Sequence, residues 1–234
     1  MESNIYTEGQ YMQENPDWHI EDSPWKANHI DKILKKNNIN YDTVCEVGCG
    51  AGEILKQLEQ KKSSIQYIGY EISPQAFALT ESRQQGNVKF HLSDLLDADN
   101  REHYDVVMAI DVFEHVEDCF TFLRKLQKKA TYKVFHIPLD LSVQGLARPK
   151  SILHARSTVG HIHFYNKELA LALLNDLGYD IIDSYYTDRA LELPSSKHFR
   201  TRLTNILRYS IQSIFGKDTA AKFLGGYSLI VLAK

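Results

Sequence analysis

The sequence predicts an α/β protein built on a doubly wound, seven-stranded, mostly parallel sheet. Three observations carry that prediction. Short apolar runs alternate with stretches of helical period along most of the 234 residues. The first run, Val44 to Val47, feeds directly into Gly48-Cys49-Gly50-Ala51-Gly52, a turn in which a strand is handed to a helix. Acidic residues then recur at or just beyond successive strand ends, as Glu46, Glu71 and Asp94.

The elements follow in order. Residues 1–22 are polar and aromatic (Tyr6, Tyr11, Trp18) and show no period. Ser23-Pro24 reads as an N-cap with proline in the first turn, opening a helix to about Asn37. Thr43 to Val47 is a strand, Ala51 to Lys61 a helix and Ile65 to Glu71 a strand. Ser73-Pro74 repeats the capping device for a helix to about Arg83. Val88 to His91 and Tyr104 to Ile110 are strands, and Val116 to Lys129 is a helix with Phe120, Leu123 and Leu126 on one face. Tyr132 to Ile137 is the fifth strand. Asn166 caps a helix whose leucines (169, 173, 174, 177) recur at helical spacing until Gly178. Tyr179 to Tyr186 and Tyr227 to Leu232 complete the seven strands. Two insertions break the rhythm, one over 138–165 after the fifth strand and one over 189–226 between the last two. The whole of 1–234 reads as one domain, with 1–40 forming an N-terminal helix and lid.

Composition bounds the function. Hydrophobic residues make up 43% and charged residues 24%, ordinary values for a globular chain, and the net charge of −3 gives no global pull toward nucleic acid. Cys45, Cys49 and Cys119 lack metal-ligand spacing, which fits a reducing compartment. No apolar run approaches spanning length, and the start carries no leader pattern, so the expected location is the cytoplasm.

The glycine turn lets a ligand approach the backbone, and the following helix points its N-terminus there. A dinucleotide-binding turn needs glycine where this chain has Glu53, so a pyrophosphate would meet a carboxylate. Glu71 stands one βαβ unit further on, where a carboxylate can grip ribose hydroxyls. Asp94 can accept from an adenine amine, and Glu46 can hold an ammonium. The set suits an adenosine with a cationic amino-acid tail.

From Trp25 to Tyr186 and over the last strand the chain resembles the class I S-adenosylmethionine-dependent methyltransferases of small-molecule type. The segments that carry the resemblance are Glu46 to Gly52, Tyr70 to Pro74, Ser93-Asp94-Leu95, and Tyr104 to Val107 through Asp111 to Val116. The last is similar to the segment after strand four in ubiquinone-pathway O-methyltransferases. The resemblance implies a Rossmann-like methyltransferase sheet with the last strand antiparallel, and S-adenosylmethionine as cofactor. It implies cofactor contacts from Glu46, Gly48, Gly50, Gly52, Glu71, Ile72, Asp94, Leu95, Asp111 and Val112. The leading segment would close over the cofactor.

Methyl transfer is an in-line displacement, so positioning matters most, and a hydroxyl or ammonium acceptor also needs a base near neutrality. Among ten histidines, His115 follows strand four, and His161 and His163 lie in Gly160-His161-Ile162-His163-Phe164-Tyr165. That run resembles the Gly-His-x-x-x-Tyr/Phe segment of small-molecule methyltransferases. His161 is the expected base or substrate orienter, with His115 next and His163 on the substrate side. Either of His161 and His163 can instead point inward to a backbone carbonyl, and Glu114 reads as half of a helix-start pair with His115. No metal is expected. The loop from Leu146 to Arg156 offers Arg148, Lys150 and Arg156 to an anionic acceptor, or simply to solvent. Between Arg189 and Lys222 there are seven Lys or Arg against two acids. This insertion can be a lid, a homodimer helix or an interfacial helix at an anionic membrane, with the lid as the default.

The expected function is therefore transfer of a methyl group to oxygen or nitrogen of a small molecule. A cofactor-binding partner or sensor without catalysis is the alternative from another class. A nucleic-acid methyltransferase is disfavoured, because strand four leads into Asp-Val-Phe-Glu-His and not the Asn/Asp-Pro-Pro turn used on flipped bases. An NAD-dependent oxidoreductase is opposed by Glu53.

Overall fold

The computed structural model describes Trp18, residues 20–193 and residues 199–234, the last without the side chains of 199–204. The aromatic expectations for Tyr6 and Tyr11, and the side chains of Phe199, Arg200, Arg202 and Leu203, lie outside the described residues.

The strands are β1 (Thr43–Val47), β2 (Gln66–Glu71), β3 (Val88–Leu92), β4 (Tyr104–Ile110), β5 (Ala130–Leu139), β6 (Ile181–Thr187) and β7 (Tyr227–Ala233). They form one sheet in the order β3-β2-β1-β4-β5-β7-β6. The first five pair in parallel, and β7 runs antiparallel between β5 and β6. Side chains alternate through the sheet with a period of two. Cys45, Val47, Val107, Ala109, Phe135 and Ile137 face one buried layer. Val44, Tyr67, Val106, Met108, Val134 and Ile230 face the other.

The helices are α1 (Ser23–Lys36), α2 (Glu53–Lys61), α3 (Pro74–Ala78), α4 (Cys119–Gln127), α5 (Val143–Ala147), α6 (Pro149–Thr158), α7 (Lys167–Asp176), α8 (Arg189–Glu192) and α9 (Phe199–Leu224). α9 breaks at Gly216, whose φ of 86° only glycine adopts without strain. Three caps are as the residue types require. Ser73, Asn166 and Asp118 accept from the backbone N–H groups of Ala76, Leu169 and Thr121.

Several expectations need correction. The fourth helix starts at Cys119, not Val116, so Glu114 and His115 stand in the loop after β4 and not at a helix start. Phe120 is solvent-exposed, while Leu123 and Leu126 are buried. Leu169 likewise faces out. The stretch Leu146 to Arg156 is not a loop but the end of α5 and most of α6. All three cysteines are free and buried, and no described helix is long and apolar enough to cross a membrane.

Because β1 and β4 are neighbours whose connections leave in opposite directions, a crevice opens at their carboxyl ends. The functional residues gather there.

Candidate active site

The glycine turn is held by backbone bonds that need its left-handed residues. Gly48, Gly50 and Gly52 have φ of 67°, 54° and 77°. The N–H groups of Gly48 and Cys49 both donate to the Tyr70 carbonyl, at 2.9 and 3.1 Å. At Gly48 a Cβ would press on Val112 at 3.1 Å, and at Gly52 it would collide with the Phe90 ring. Glu71 knits this turn to the end of β2. One carboxylate oxygen accepts from Gly50 N at 2.8 Å, and the other accepts from Ile72 N and Ser73 N. Burial pushes its pKa up against these three donors.

The turn forms one wall of a cavity of about 720 Å³. Glu46, Gly48, Gly50, Glu71, Ile72, Asp111 and Val112 all line it. Glu46 is 2% exposed, and its Oε2 has no hydrogen-bond partner. Burial raises its pKa to about 8, with Lys26 pulling the other way and Glu71 and Asp111 adding to the rise. A buried, unsatisfied carboxylate is costly unless a cation meets it.

The floor is Asp111, whose backbone is left-handed at φ 53°. Its carboxylate takes Lys26 Nζ at 2.7 Å and His136 Nδ1 at 2.6 Å. Burial would raise its pKa, but these two partners hold it far below the ordinary range. Lys26 answers in kind: burial disfavours its charge, yet Asp111 raises its pKa overall. His136 in turn meets the Thr187 hydroxyl at 3.0 Å. α1 is tied down further by Glu192 of α8, which accepts from Trp25 Nε1 at 2.9 Å and meets His29 Nε2 at 2.7 Å. Trp18 also lines the cavity beside Gly50.

Opposite the floor, His115 and His161 stand edge to face with ring centroids 4.9 Å apart. His161 Nδ1 meets Asp140 Oδ2 at 2.7 Å. Both histidines line the cavity. Burial and then the neighbouring His161 depress His115 to about 4, so it is neutral at physiological pH. Glu114 is fully buried, and neither carboxylate oxygen has a hydrogen-bond partner among the described residues, with His115 Nε2 standing 3.8 Å from Oε1. Burial and Asp111 raise its pKa well above the ordinary value. Glu114, His115 and His161 bring three ligand atoms within 4.8 Å of one another, a donor set able to hold a metal ion.

Other predicted residues are not brought to this cavity. Asp94 is exposed, and its side chain accepts from Leu96 N at 2.8 Å; Leu95 is fully buried in the core. His163 Nε2 meets the Val116 carbonyl at 2.8 Å, the inward-pointing arrangement. Arg148, Lys150 and Arg156 are exposed on or beside α6 and line none of it. Three residues that do matter, Lys26, His136 and Asp140, carry no motif. Only the buried position of His136 in an apolar strand marks any of them.

The sheet order, the glycine turn and the acids at the β1 and β2 ends define a Rossmann-like methyltransferase fold. Residues 45–131 match the family model described as a methyltransferase domain. The chain is 28% identical over 140 residues to a ubiquinone biosynthesis O-methyltransferase of Nitrosomonas europaea, covering 57% of this chain and 55% of that protein. A protein of the same description from Rickettsia bellii is 27% identical over 154 residues, covering 63% and 64%. The chain thus matches less than two thirds of the length of either relative. Among solved structures, magnesium protoporphyrin IX methyltransferase from Synechocystis PCC 6803, with bound SAH, superposes with a TM-score of 0.59 at 17% identity, covering 90% of this chain and 82% of that one. The chain is thus similar to S-adenosylmethionine-dependent methyltransferases in sequence over residues 45–131 and in fold over most of its length.

Proposed function

We propose that the protein transfers a methyl group from S-adenosylmethionine to an oxygen or nitrogen of a small molecule, without a metal and with histidine assistance. One observation carries this reading: a single cavity joins the glycine turn and its two carboxylates to the His115–His161 pair. The residues fit the cofactor. Glu46 offers a buried carboxylate in need of a cation, and the glycines leave room at the backbone. Glu71 stands at the cavity edge for hydroxyls. The cofactor, when bound, supplies an electrophilic methyl group on a sulfonium.

The chain's own residues do the rest. The Asp140 carboxylate accepts from His161 Nδ1–H, which leaves the Nε2 lone pair as the proton acceptor and stabilises the imidazolium that forms. His115, held neutral, packs against that ring without competing for charge. Lys26 and His136 lock Asp111, and the floor is fixed before the acceptor arrives.

The cavity is lined by Lys26 and Arg189 as well as by carboxylates, and Arg148, Lys150 and Arg156 lie off it, so an anionic acceptor would have to meet the two cations within. The three free, buried thiols support a reducing, cytoplasmic setting. The test is turnover of S-adenosylmethionine with panels of phenols, catechols and amines. His161→Ala should lower kcat by about 10²–10⁴-fold with cofactor affinity kept. Tight cofactor binding with no acceptor ever turned over would favour the non-catalytic sensor instead.

A further inference from the structure

The face built by α5, α6 and α9 contributes nothing to the cavity and differs from the rest of the surface. A separate groove of about 640 Å³ runs between α5 and α9, lined by Val143, Ala147, Leu207, Ile211, Phe215 and Phe223 among others. Leu207, Ile211 and Phe215 are four apart, and Ile214 is seven from Leu207, so they share one helix face. Ile211 packs partly against the core, and the described residues leave most of the rest of that face bare. Ile214 is 72% exposed, Phe215 65% and, on α5, Leu146 62%. Apolar density of this kind on an open groove marks a contact surface, unlike scattered single residues.

The charges point to what the contact is. Residues 143–158 and 199–224 hold eight Lys or Arg and one acid, Asp218, while the remainder of the chain holds 19 and 29. Arg208 of this set is buried, and Lys217 and Lys222 pair with Glu192, Glu168 and Asp218, so the positive excess that the described side chains present to solvent lies on and beside α6. Arg148, Lys150 and Arg156 stand exposed along that side.

We propose that this face docks on an anionic phospholipid bilayer, with α5 and α9 presenting apolar side chains to the acyl boundary and α6 presenting cations to the head groups. A second copy of the chain would set the same positive excess against itself, which opposes a symmetric dimer through this face. A bilayer offers an apolar layer and anions together. The docking stands independently of methyl transfer, so neither reading depends on the other.

The experiment is sedimentation of the full chain with extruded vesicles of phosphatidylcholine alone and of an equal mixture with phosphatidylglycerol. Binding is expected only to the anionic vesicles at about 0.1 M salt, and it should weaken as salt rises. Arg148→Glu, Lys150→Glu and Arg156→Glu together should weaken it about a hundredfold or more. Ile214→Ser with Phe215→Ser should weaken it roughly tenfold or more. Both variants should keep the circular dichroism melt of the parent, which separates lost docking from lost folding. No binding of the parent to anionic vesicles overturns the proposal, and so does binding that neither variant weakens. A dimer by light scattering that Phe215→Ser dissociates, with vesicles ignored, assigns the face to a second copy and equally overturns it.

Discussion

Glu46 should make cofactor affinity depend on pH in a way set by its burial. Its carboxyl is 2% exposed with a pKa of about 8, so in the free protein it is mostly protonated at neutrality. A cationic tail brought against it favours the carboxylate, and binding then expels a proton. The dissociation constant scales with one plus the ratio of protonated to ionised Glu46. That factor is about 11 at pH 7 and about 300 at pH 5.5, so affinity should strengthen roughly 30-fold across the interval, near 2 kcal/mol. The window stops at pH 7 because the ligand's own α-amino group begins to titrate above it. Calorimetry in buffers of different ionisation enthalpy should show about 0.9 proton released at pH 7. Glu46→Gln should bind more weakly and lose most of the slope. An affinity that is flat between pH 5.5 and 7, or a slope unchanged in Glu46→Gln, would refute the assignment of Glu46 as the cation's partner.

Asp140→Asn should lower kcat about 10–100-fold with little change in KM for the cofactor, because it removes the group that sets the His161 tautomer; initial rates at saturating cofactor check this. His115→Gln should leave the pH–rate profile between 5.5 and 8 in place, since His115 is already neutral throughout that range; initial rates across that interval check this. Dialysis against EDTA should leave activity unchanged. Loss that zinc or magnesium restores would instead make Glu114, His115 and His161 a metal site. Gly52→Ala combines a left-handed backbone with a collision against Phe90 and should cost on the order of 2 kcal/mol, read as a lower midpoint in thermal melts.

What could be read from the residues was whatever is locally encoded. The strand into Gly48-Cys49-Gly50 needs no partner to be visible, and neither do the caps at Ser73 and Asn166. α6 reads as a loop in the sequence for a physical reason: none of its residues is buried, so it leaves no apolar period. The floor of the site was illegible for another. Lys26 reaches Asp111 across the packing of α1 on the rest of the fold, and no spacing along the chain encodes that contact. His136 sits in a strand whose pattern says core, and only the fold reveals that its ring faces a carboxylate. Asp94 is legible as a motif, and in the fold its exposed carboxylate accepts from Leu96 N of its own turn.

The place of β7 also sets the order in which the molecule can be assembled. Among the described residues β6 has β7 as its sole neighbour in the sheet, and β7 is made from residues 227–233. During synthesis the parallel half of the sheet can therefore form early, while β6 waits with both edges open until the last strand has emerged. His136 and Thr187 lie on the two strands that β7 joins, so the floor beneath the cavity is completed at that same moment. Nascent chains halted before residue 227 should then expose the unpaired strand to aggregation while already carrying a formed glycine turn.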